Sequence, residues 1–151
     1  MSLGNIFDIS GSGMNAQSIR LNTTASNLAN AQSVSSSLEE TYRARKPVFQ
    51  SVQAQFMDRS VMSGSLMQGS QNNTLGNGVK VAGIVEKDGP LEARYEPTHP
   101  FADEEGYVYY PNVSVVEEMA DMMSASRSFT VNVEVFNTAK TMMQKTLTMG
   151  K

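Results

Sequence analysis

Cysteine and tryptophan are absent from the 151-residue sequence, and histidine occurs once. Without cysteine there is no disulfide scaffold, no thiolate metal site and no cysteine nucleophile. Charge is sparse, at 18 % of residues, and the net balance of −3 includes no basic cluster of the kind that binds nucleic acid. Long hydrophobic runs are missing too. No window approaches 18 apolar residues, so no direct membrane span is expected. The opening segment MSLGNIFDIS has neither a basic n-region nor an apolar stretch of signal-peptide length. That implies a cytoplasmic protein, unless it leaves by a route that does not read such signals. Leucine, isoleucine, valine and phenylalanine together number 32, while serine, threonine, asparagine and glutamine number 47. A lone globule of this length buries about two-thirds of its unfolded surface. The thin apolar content therefore points to a chain that orders in part only with partners.

Three zones are present. In residues 1–32, Phe7, Met14, Leu21 and Leu28 recur every seven residues, and Gly11, Ser18 and Ala25 follow four positions later. Seven is the coiled-coil period, and a seam of small residues lets a second helix approach closely. Gly11 and Gly13 each disfavour a helix by roughly 1 kcal/mol relative to alanine. Between residues 4 and 32 only Asp8 and Arg20 are charged, a poor composition for an isolated helix in water. Residues 114–151 carry the strongest periodic signal. Val115, Met122, Phe129, Phe136 and Met143 fill one heptad seam, and Met119, Ser126, Val133, Lys140 and Leu147 the other. Ser114 followed by Glu117 is a capping-box signature, and Gly150 is a stop signal. A helix is predicted over 115–149, roughly 50 Å long. Its remaining faces are threonine, asparagine, serine, methionine and valine, so it expects neighbours on more than one side.

Residues 33–113 read as a β-rich insert. Strands are predicted over 48–56, 79–86, 91–96 and 106–111, from period-two alternation bounded by proline and glycine turns. Residues 32–41 and 60–78 read as flexible loops. The fold class predicted is α+β: long N- and C-terminal helices pairing as an antiparallel coiled coil, with a small β-rich insert between them. Such a pair still exposes a second, uncharged face that stacked copies would cover.

Candidate chemistry is weak. His99 with Asp103, Glu104 and Glu105 falls short of converging metal ligands and reads as a hydrogen-bonded turn. Asp103 and Glu104 have no accompanying nucleophile or oxyanion donor. No catalytic residue, metal or cofactor is expected. The methionines of the C-terminal zone read as packing, adaptable to non-identical neighbours. Tyr42, Arg43, Arg45 and Lys46 make a spot too small for nucleic acid and better suited to anchoring an interface. Arg127 is the candidate for an inter-subunit ion pair, with Glu134 or Glu118 as local alternatives.

Several segments, in order, resemble the bacterial flagellar axial (rod and hook) proteins. They are GMNAQ (Gly13 to Gln17), LNTTASNLANA (Leu21 to Ala31) with its Asn27-Leu28-Ala29-Asn30 signature, YRARKPVF (Tyr42 to Phe49) and YEPTHPFAD (Tyr95 to Asp103). GYVYYPNV (Gly106 to Val113), EEMADMMSASRSF (Glu117 to Phe129), Asn132 and AKTMMQKTL (Ala139 to Leu147) complete the set. One departure is the connection QSVSSSLEE (Gln32 to Glu40), longer than the family's Thr-x-Gly-Tyr turn and without glycine. The resemblance implies a structural subunit of the proximal rod. Copies would polymerise helically with each other, with the rod subunits FlgB, FlgF and distal FlgG, and with the base adaptor FliE. The product would be a hollow shaft crossing the periplasm, transmitting torque and conducting exported subunits. It further implies passage through the flagellar type III export apparatus without a cleaved signal peptide, with Ile6, Phe7 and Ile9 as the candidate export signal. Assembly residues on this reading are Phe7, Met14, Leu21, Asn27, Leu28, Asn30, Val115, Met119, Met122, Arg127, Phe129, Val133, Phe136, Met143 and Leu147. A different class, a cytosolic coiled-coil adaptor or secretion chaperone, would need charged outer helix faces.

Overall fold

A computed structural model of the chain describes residues 3–52 and 78–150. Within them the order is α1 (Leu3–Ala29), β1 (Arg45–Ser51), β2 (Val79–Glu86), β3 (Glu92–Tyr95), β4 (Tyr107–Tyr110) and α2 (Val115–Met149). The start of α2 follows its cap. Ser114 is extended, and its side chain accepts the Glu117 N–H at 3.4 Å. Glu117 and Glu118 lie in the first turn, at the positive end of the helix dipole. Gly150 ends the helix at φ −91°, without the left-handed geometry of a glycine stop. The first helix ends three residues before the predicted residue 32, in turns made by Asn30 N–H on the Ser26 carbonyl and Ser33 N–H on that of Asn30.

The two helices run antiparallel. Phe7 meets Phe136 edge to face at 4.9 Å, Arg20 pairs with Asp121 at 2.8 Å, and Asn27 bonds Glu118 at 3.0 Å. Partner numbers fall along α2 as they rise along α1. The contact is tightest over small and polar residues: Ser10, Ala16, Thr23, Thr24 and Asn27 on α1, with Glu118, Ala125 and Ala139 on α2. This changes the expected phase. Glu118, Ala125, Asn132 and Ala139 keep the seven-residue spacing but lie three positions beyond Val115, Met122, Phe129 and Phe136. Close approach is the reason. Small residues let the backbones near one another, and the large side chains are displaced to the flanks.

Among the described residues, the insert holds two separate two-stranded antiparallel sheets. β1 pairs with β2 from Arg45↔Glu86 to Ser51↔Val79, with an irregularity between Val48 and Phe49. β3 pairs with β4 from Glu92↔Tyr110 to Tyr95↔Tyr107. The observed β1 begins before the predicted strand, because pairing to β2 extends it to Arg45. Phe56 and the predicted loop from residue 60 to 77 lie outside the described residues. Gly106 turns the chain into β4 at φ +85°, and a Cβ there would lie 2.9 Å from the Tyr95 ring. The connection 32–41, expected as a flexible loop, is anchored. Ser35 and Tyr109 exchange two backbone hydrogen bonds at 3.1 Å, and the Thr41 hydroxyl donates to the Ser37 carbonyl at 2.7 Å.

Candidate assembly interface

The junction of helices and insert is built around Asn27, which is fully buried. Its Nδ2 donates to the Arg45 carbonyl at 2.7 Å and to Glu118 Oε2 at 3.0 Å. Its Oδ1 accepts the Arg45 N–H and the Tyr42 hydroxyl, both at 2.9 Å. All four hydrogen-bonding positions of the amide are thereby used. One side chain thus joins α1, α2 and the start of β1. Glu118, 2 % exposed, is the residue that sequence reasoning missed as a structural centre. Its signal was the heptad spacing shared with Ala125 and Ala139. At Ala44, one residue before Arg45 along the chain, Asn112 accepts the backbone N–H at 3.0 Å and donates to the Lys87 carbonyl at 3.1 Å.

The members of the basic-aromatic spot also pair within the chain. Arg43 pairs with Asp88 at 3.4 Å, Arg45 with Glu86 at 3.0 Å, and Lys46 with Asp121 at 3.6 Å, while Arg45 also lies over the Tyr42 ring. These chain positions satisfy each other because β1 runs along β2 and lengthwise along α1, from Asn27 toward Ser12, with Lys46 reaching Asp121 of α2 by its side chain. Asp121, with Arg20 and Lys46, is partly solvated. Asp121→Asn is therefore expected to lower stability by no more than about 1 kcal/mol in urea unfolding. On the second hairpin, desolvation and the nearby Asp103 carboxylate push the Tyr109 phenol above its ordinary range. His99 Nδ1 accepts the Phe101 N–H at 3.2 Å within its own turn.

The predicted assembly residues divide into three groups. Asn27 is buried at the junction described above. Phe7, Met14, Leu21, Leu28, Asn30, Met122, Phe129, Val133 and Phe136 are half-buried along the flanks of the helix pair. Val115, Met119, Arg127, Met143 and Leu147 are exposed. Arg127 forms no ion pair with Glu134 or Glu118 among the described residues. Of the candidate export residues, Phe7 packs on Phe136, Ile6 lines a groove against α2, and Ile9 is exposed. Apolar exposures in the first half of α2 include Val116 at 79 %, Met119 at 53 % and Met123 at 68 %. Single exposed apolar residues are ordinary, but a sustained stripe marks a contact surface. No described helix is long and apolar enough to cross a membrane.

Both terminal helices match families of flagellar rod proteins. Residues 7–34 match the family "Flagella basal body rod protein", and residues 104–149 match "Flagellar basal body rod FlgEFG protein C-terminal". Similar whole chains are the flagellar basal-body rod protein FlgC of Salmonella typhimurium, 48 % identical, and that of Escherichia coli O6:H1, 49 % identical. Both comparisons cover 100 % of each chain. The FlgC of Borreliella burgdorferi is 33 % identical over 97 % of each chain. The chain belongs to the FlgC family of flagellar basal-body rod proteins. It is accordingly a structural subunit of the basal-body rod, assembling with other basal-body components, and not an enzyme.

Proposed function

We propose that the chain contributes to the rod as a helix-pair building block of its proximal part, with the exposed flanks of α1 and α2 meeting neighbouring subunits. The pair packs as an antiparallel coiled coil whose small, polar contact leaves most of the large apolar side chains for those neighbours. Copies polymerise helically with one another and with FlgB, FlgF, FlgG and FliE in the hollow, torque-bearing shaft across the periplasm. They reach it through the flagellar type III export apparatus, which reads Ile6, Phe7 and Ile9. Met14, Leu21, Leu28, Asn30, Met122, Phe129, Val133, Met143 and Leu147 supply subunit contacts alongside the exposed stripe, and Arg127 supplies an inter-subunit ion pair.

The observation that carries this reading is the apolar face at Val116, Met119 and Met123, spaced three and four residues apart on α2. The adaptor alternative required charged outer faces, and this face is apolar instead. Met123→Glu tests the reading. Because Met123 is solvent-exposed in the free chain, its unfolding free energy should change by no more than about 0.5 kcal/mol. Burying an unpaired glutamate against a neighbour is costly, so the same variant should fail to enter purified basal bodies and should not support swimming. Normal incorporation and motility of Met123→Glu would remove this face from the assembly.

A further inference from the structure

The chain has eleven methionines and no cysteine, so thioethers are its only sulfur. Peroxides react first with thiolates, and a chain without them meets such an oxidant through its accessible methionines. Accessibility divides the helical methionines. Met14 of α1 and Met122 of α2 are half-buried along the flanks of the helix pair, whereas Met119 and Met123 are exposed. These two stand four residues apart and share one face of α2 with Val116. Met142 and Met149 are exposed as well, but they lie roughly 28 Å or more further along the helix.

Oxidation at these positions needs only an encounter with hydrogen peroxide. The sulfur lone pair attacks one peroxide oxygen, and an S–O bond forms as the O–O bond breaks. Both protons leave with the second oxygen as water. Sulfur is oxidised by two electrons, and the peroxide is reduced by two. The resulting sulfoxide is polar and chiral, where the thioether was flexible and apolar. On the free chain its oxygen points into water and disturbs no packed contact. Against a neighbouring subunit the same oxygen must give up water without gaining a donor, and docking is opposed. Methionine sulfoxide reductases reverse the change.

We infer that Met119 and Met123 are a peroxide-sensitive modification site that controls assembly. Oxidation of either sulfur leaves the free chain folded and keeps it out of the rod until the sulfoxide is reduced. The inference rests on the proposed reading of the Val116, Met119 and Met123 face as a subunit contact. Met123→Glu tests that contact separately, so failure of one is distinguishable from failure of the other.

The test uses the full chain in cells that lack methionine sulfoxide reductases and make the remaining rod subunits only on induction. A hydrogen peroxide pulse is given and washed out before that induction. Mass spectrometry then reads sulfoxide in the chain purified with basal bodies and in the chain left behind. Sulfoxide at Met119 and Met123 is expected to be about tenfold rarer in basal bodies, and sulfoxide at Met149 equal in both pools. Restoring the reductases after the pulse should return the oxidised chain to basal bodies. Equal sulfoxide at Met119 and Met123 in the two pools overturns the inference and leaves the rod reading standing. Equal depletion at Met149 does the same, because exclusion would then not depend on this face. Absence of the chain from basal bodies without peroxide overturns the rod reading and the inference with it. Urea unfolding supplies a second measurement. The midpoint of the purified chain oxidised at Met119 and Met123 should not move, and a shift to lower urea overturns the inference by showing that the sulfoxide acts on folding.

Discussion

Replacing Asn27 by alanine is expected to destabilise the free chain by about 4 kcal/mol, lowering its melting temperature by roughly 10 °C. The magnitude comes from what is left behind. The Arg45 N–H and carbonyl lose their Asn27 partners, and the buried Glu118 carboxylate loses the amide donor at 3.0 Å. Each stranded neutral group costs about 1–3 kcal/mol, and a charged one more. Tyr42 is affected least, since its hydroxyl also lies 3.4 Å from Ser26 Oγ. Asn27→Asp should be at least as damaging, because it sets a second carboxylate against Glu118. Adding Glu118→Ala to Asn27→Ala should cost less than the two single losses together, since the carboxylate that lacked a donor is then gone. Urea unfolding of the four proteins decides the matter. A loss below about 1 kcal/mol for Asn27→Ala, or strict additivity with Glu118→Ala, would show that the junction does not depend on this amide.

The second large effect is expected at Gly13. A Cβ there would lie 2.9 Å from Asn132 Nδ2, and that amide is itself bonded to the Ser128 carbonyl at 3.0 Å. Leucine at this position must push α2 away from α1, and overpacking of this kind costs about 1–3 kcal/mol. The higher helix propensity of leucine offsets less than about 1 kcal/mol of it. The Phe7–Phe136 contact, two helical turns away, should loosen as the helices separate. Gly11 is the internal control, because a Cβ there meets nothing within 4 Å. Gly11→Ala should therefore stabilise α1 by about 0.5–1 kcal/mol. Denaturant midpoints, with amide exchange along residues 6–16, separate the two cases. If both glycine variants move stability in the same direction, close helix approach is not what Gly13 provides.

The limits of α2 and the presence of the four strands were legible because their signals are local. Ser114 and Glu117 mark a helix start wherever they stand, and the alternation in residues 79–86 is that of a half-exposed strand. The phase of the helix contact was not legible. Apolar periodicity picks out Val115, Met122 and Phe129, while the closest contact falls on Glu118, Ala125 and Asn132, whose small size or hydrogen bonding hydropathy cannot register. The anchoring of residues 32–41 was hidden for another reason. Ser35 finds its partner at Tyr109, on a strand far along the chain, and nothing in QSVSSSLEE announces that pairing. The ion pairs of Arg43, Arg45 and Lys46 were likewise invisible until β1 lay beside β2 and α1, within side-chain reach of Asp121.

The small, polar character of the helix contact also has a calorimetric consequence. Unfolding raises heat capacity in proportion to the apolar surface exposed, and polar exposure lowers it. Among the described residues, the buried apolar side chains are four alanines, Val108 and Pro111. The free subunit therefore opens with an increment below the usual ~12–15 cal/mol/K per residue, and its stability curve is broad and shallow. On the proposed assembly, in which neighbours cover the valine and methionine flanks, the curvature belongs to the polymer. Temperature then acts strongly on the assembled shaft and only weakly on the single chain.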